Sequence, residues 1–82
     1  MTQKQILVVD DEEMIVDVCR RVLTNEGYDV FGARSAEEAL KSFSSVRIHL
    51  AVMDMLMPGM NGLEAYPILK KRHPDLLGIL IT

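Results

Sequence analysis

The 82-residue chain has a single cysteine, Cys19, so neither an internal disulfide nor a cysteine metal cage can form, and a reducing compartment is expected. Cys19 itself reads as a small buried apolar residue. Charge of one sign is scarce too. The formal net charge is -3 and spread along the chain, without the basic stripe that grips a phosphate backbone, so direct nucleic-acid binding is not expected. No apolar run approaches the roughly 20 residues that span a bilayer, and Met1 to Gln5 lack the apolar stretch of a signal peptide. A cytoplasmic protein without a membrane partner is expected. No repeat, low-complexity tract or linker interrupts the sequence, and its length allows one domain at most.

Hydrophobic residues make up 49% of the chain and charged residues 26%, the balance of a globular protein with a packed core. The apolar pattern changes period several times. Ile6-Leu7-Val8-Val9 is a short β-branched run, read as a strand covered on both faces. Met14, Ile15, Val18, Cys19, Val22 and Leu23 recur as one stripe of a helix, with Asp17, Arg20, Arg21 and Asn25 opposite and Gly27 at its end. Tyr28 to Ala33 is a second strand, weakened by Asp29 and Gly32. Ser35 and Glu38 form a capping box, and a helix through Ala39, Leu40 and Phe43 follows.

His49 to Asp54 is a third strand that ends in a carboxylate. Met57 to Gly62 is a turn-rich loop, from which Asn61 with Glu64 opens a third helix. Pro67 lies inside that helix and cannot donate to the Leu63 carbonyl, which predicts a kink or a start delayed towards Pro67. Lys70, Lys71 and Arg72 suit the helix C-terminus, Pro74 stops it, and Leu76 to Thr82 is a fourth strand. Alternating strands and helices imply right-handed crossovers and an α/β fold with a parallel sheet.

In such a sheet ligands bind beyond the carboxyl ends of the strands, where the winding reverses. Asp10 and Asp11 follow the first strand and Asp54 closes the third. If the strand order is 2-1-3-4, these strands are neighbours and three carboxylates converge. Their charges repel, and a hard divalent cation resolves the repulsion. Magnesium takes only one or two carboxylates and keeps several waters, leaving room for a phosphoryl oxygen. A carboxylate such as Asp54 can be the nucleophile of phosphoryl transfer, which asks the protein mainly for positioning and charge neutralisation.

Val9-Asp10-Asp11-Glu12, the run Asp54-Met55-Leu56-Met57-Pro58-Gly59-Met60-Asn61-Gly62, and Thr82 together resemble the receiver domain of two-component response regulators over the whole chain. The resemblance implies a flavodoxin-like sheet of order 2-1-3-4 in a single domain, residues 1–82. Asp54 would be phosphorylated by a histidine kinase or phosphotransfer protein. Mg2+, or another divalent cation, would be held by Asp11, Asp54 and the backbone carbonyl of Leu56, with Asp10 in support. Thr82 would be the switch hydroxyl. The domain would be a signalling phosphoacceptor that assists its own phosphoryl transfer rather than an enzyme.

Family members continue through a fourth helix, a fifth strand bearing a lysine, and a fifth helix. Lys70 and Lys71 sit at a helix end and cannot replace that lysine. The alternative is therefore a receiver-like interaction module that is no longer phosphorylated. A phosphatase of the haloacid-dehalogenase kind would need a second aspartate two residues after the nucleophile, where this chain has Leu56.

Plainer roles compete for the same residues. Asp10, Asp11 and Glu12 suit a helix N-terminus, and Met53, Met55, Met57 and Met60 suit packing and loop lining. His49 and His73 read as solvated surface residues. Leu76 to Ile81 would form an open apolar edge, which predicts self-association through the fourth strand.

Overall fold

The apolar runs separate strands from helices much as their periods imply. The computed structural model describes residues 4–43 and 46–81. In order the elements are β1 (Gln5–Val9), α1 (Glu13–Asn25), β2 (Asp29–Ala33), α2 (Ala36–Ser42), β3 (Leu50–Asp54), α3 (Gly62–Arg72) and β4 (Leu77–Ile81). The strands form one parallel sheet of order β2-β1-β3-β4. That is the expected α/β order, with β1 and β3 side by side at its centre.

Alternation along the strands divides the core between two faces. Leu7, Val9, Ala51 and Met53 point to the side covered by α2 and α3, where Ala36, Ala39, Ala65 and Leu69 meet them. Ile6 and Val8 point to the other side, against Val16 of α1. Leu7, Met53, Leu69 and Leu76 are fully enclosed. Each contributes about 1.5–3 kcal/mol through burial of its side chain.

The helix over residues 13–25 forms as expected, but its buried stripe differs from the one read in the sequence. Val16 is its buried residue, with Cys19 and Leu23 partly buried beside it, and Met14, Ile15, Val18 and Val22 are exposed. The apolar surface of α1 is wider than the strip that touches the sheet, so periodicity alone could not tell which edge of it packs. Gly32 marks the place of contact, since a Cβ there would lie 2.5 Å from Val16 Cγ1.

The third helix begins at Gly62 and runs unbroken to Arg72, so its start is not delayed towards Pro67. The capping box explains this. Asn61 Oδ1 accepts from Glu64 N–H at 3.0 Å while Glu64 Oε1 accepts from Asn61 N–H at 3.2 Å, which fixes the first turn. Pro67 is exposed, and the carbonyl of the exposed Leu63 that it leaves unpaired can turn to water.

Candidate functional site

β1 delivers Asp10 to the carboxyl edge of the sheet. The Asp10 N–H donates to the Ala33 carbonyl at 3.1 Å, prolonging the contact with β2 by one residue and leaving Asp10 only 6% exposed. Its Oδ1 accepts from Glu12 N–H at 2.9 Å, a short turn that leads into α1. That turn lies before the helix, whose N-cap Glu12 makes no side-chain capping bond, so the capping role suggested for these acids is not what holds Asp10. Asp11, next to it, is exposed.

β3 delivers Asp54, its last residue, in register with Ile81 of β4. Asp54 Oδ1 accepts from Leu56 N–H at 2.9 Å, and Met55 N–H donates to the Ile81 carbonyl at 2.8 Å, so both ends of this short turn are held. Behind it Met57 is buried in the core. Gly62 allows α3 to begin there, because a Cβ would lie 3.0 Å from the Asp54 carbonyl oxygen and 3.3 Å from Met53 Cβ.

Asp10, Asp11 and Asp54 each present an oxygen, and these oxygens all lie within 4.8 Å of one another. They line a cavity of about 430 Å³ together with Glu12, Ile15, Leu56 and Ile81. Burial pushes the Asp10 carboxyl above its ordinary value. The Glu12 N–H opposes that rise, and the charges of Asp54 and Asp11 add to it. Such a donor set, crowded, all-oxygen and electrostatically strained, fits a hard divalent cation. A larger cavity of about 540 Å³ lies at the opposite end of the sheet among Lys4, His49, Leu50 and Leu77. It sits at the amino ends of the strands, the wrong end for ligand binding in a doubly wound sheet.

The structure thus brings together the three carboxylates singled out in the sequence and places Leu56 beside them. Thr82 lies outside the described residues. His49 and His73 are not the surface residues expected. Nδ1 of the half-buried His49 accepts from Gln5 N–H at 3.0 Å, tying the β3 entry to β1. His73 is buried at the end of α3, and its Nε2 has no partner among the described residues. A histidine beside charged residues looks exposed in sequence, and only the packing at the end of α3 decides otherwise. A further contact, of Glu37 with Met60 N–H at 3.5 Å, had no local signal because it joins residues 23 positions apart.

The sequence profile of the response regulator receiver domain matches residues 6–82. The chain is 43% identical over 72 residues to the transcriptional regulatory protein YvrH of Bacillus subtilis, a match that covers 87% of this chain and 30% of YvrH. The chain thus spans about a third of that relative's length. Among solved structures it is similar to the response regulator TrrA of Thermotoga maritima in complex with Mg(2+)-BeF. The identity is 42% and the TM-score 0.86, over 95% of this chain and 68% of that one. TrrA in complex with the histidine kinase ThkA matches at the same identity and TM-score, over 98% of this chain and 69% of that one.

Proposed function

The chain belongs to the response regulator receiver domain family, and on that premise we propose that Asp54 accepts a phosphoryl group from a histidine kinase or phosphotransfer protein. The observation that carries the reading is the meeting of Asp10, Asp11 and Asp54 within 4.8 Å at the carboxyl ends of β1 and β3. The complexes of TrrA with Mg(2+)-BeF and with ThkA support it.

In this reading an Asp54 carboxylate oxygen attacks the phosphorus of a phosphohistidine. The P–O bond to Asp54 forms as the P–N bond breaks, and the electron pair returns to the imidazole nitrogen. Asp10, Asp11, Asp54 and the Leu56 backbone carbonyl would hold Mg2+. When bound, the ion neutralises charge on the transferring phosphoryl oxygens. The chain's own part is positional. The Leu56 N–H holds one Asp54 oxygen and so orients the carboxylate, while the extended β1–β2 contact keeps Asp10 in place. Thr82 would supply the hydroxyl that bonds the phosphoryl group. No helix among the described residues is long and apolar enough to cross a membrane.

Treatment with acetyl phosphate and Mg2+ tests the reading by mass spectrometry. One added phosphoryl group on the wild type and none on Asp54→Asn is expected. No addition at any donor concentration would point instead to an interaction module that keeps the fold without the chemistry.

A further inference from the structure

We propose that Glu37, on α2 and outside the acidic pocket, is a positioning residue for that pocket, setting the loop that carries Leu56. The inference rests on the metal-binding reading given above. After β3 the chain must leave Asp54, pass Leu56 and enter α3 at Gly62, and its hold on the rest of the protein is uneven. Met55 N–H is bonded to β4, and the Met57 side chain is sunk in the core. Pro58 and Gly59 are exposed, and Gly59 has φ +74, a conformation that side chains other than glycine rarely adopt.

Among the described residues, the hydrogen bond that joins positions 57–60 to another element runs from Met60 N–H to Glu37 Oε2, 3.5 Å away. The same oxygen lies 2.9 Å from where a Cβ on Gly59 would be. The carboxylate therefore lies directly over the glycine, in space that any larger residue would fill. At the other end of α2 the Leu40 carbonyl accepts from Arg72 Nη1 at 3.0 Å. This seven-residue helix thus grips the loop before α3 with its first turn and the last residue of α3 with its second. Loosening the first grip lets residues 58–60 move about the buried Met57, and the Leu56 carbonyl, one residue before that anchor, loses part of its restraint. The expected consequence is weaker cation binding, with Asp10, Asp11 and Asp54 all intact.

Isothermal titration of the full chain with Mg2+, together with amide exchange of Met60 by NMR, tests this. Glu37→Ala should raise the Mg2+ Kd roughly two- to twelvefold, the range set by loss of one net hydrogen bond, and should speed Met60 exchange. Glu37→Gln keeps an acceptor oxygen without the charge and should stay near the wild type in both readouts. A Kd for Glu37→Ala within about 1.5-fold of the wild type overturns the proposal. So does a Glu37→Gln that matches Glu37→Ala, since the effect is then one of charge rather than of the loop. A wild type that binds no Mg2+ sinks the metal-binding reading itself, a result distinct from either of these.

Discussion

Replacing Asp10 by Asn should make the metal-free protein more stable while weakening its hold on a cation. The asparagine side chain keeps an oxygen that can accept the Glu12 N–H, so the turn into α1 survives and the change is mainly one of charge. In the wild type, oxygens of Asp10, Asp11 and Asp54 lie within 4.8 Å of one another. At that separation two unit charges repel by about 0.9 kcal/mol in water's dielectric, and by several-fold more in a protein-like one. Asp11 is exposed and Asp54 half-buried, so the lower limit is the better guide. Removing the Asp10 charge lifts two such repulsions, about 1–2 kcal/mol, which for a domain of this size raises Tm by roughly 4–16 °C.

The effect has a definite pH dependence. Asp10 has its pKa raised from 3.8, chiefly by burial, so the folded state binds its proton more tightly than the unfolded state does. Below 3.8 the group is protonated in both states and the variant has no advantage. As pH rises through the raised value, ionisation costs the wild type stability and the gap opens fully. Thermal unfolding followed by circular dichroism at low salt with EDTA, at about pH 7 and near pH 3, measures this. Mg2+ at about ten times its Kd should then add about 1.4 kcal/mol to the wild type and less to the variant, closing the gap. An Asp10→Asn protein that melts at or below the wild type without metal at neutral pH would refute the electrostatic account.

Gly32→Ala should cost about 1–3 kcal/mol, because its methyl meets Val16 Cγ1 at 2.5 Å and Arg20 Cδ at 3.2 Å, and adding Val16→Ala should recover part of the loss in a double-mutant cycle. Asn61→Ala removes one half of the capping box and should lower stability by about 1 kcal/mol, read as a fall in urea midpoint at unchanged slope.

The central strands and the acid cluster were legible in the sequence because their signals are local. Ile6 to Val9 is a continuous apolar run, and such a run covered on both faces belongs at the centre of a parallel sheet. Asp10 follows β1 directly and Asp54 ends β3, so a parallel order with β1 beside β3 sets them at the same edge. Asn61 and Glu64 outweighed Pro67 because a capping box acts within one turn, whereas the missing proline donor affects a single carbonyl on the wet side of the helix. What escaped the sequence depends on distant packing. Val16 rather than Val18 or Val22 faces the sheet, because Gly32 opens a gap on the neighbouring strand. His73 is buried by the fold of the turn after α3, and the reach of Glu37 to Met60 exists only once α2 lies beside the loop.

A crystal of the full chain soaked in Mn2+ and measured for anomalous scattering tests the shared cation most directly. One strong peak within coordinating distance of Asp10 or Asp11, of Asp54, and of the Leu56 carbonyl oxygen is the predicted result. A peak confined to some other part of the surface, or none at saturating metal, would contradict it.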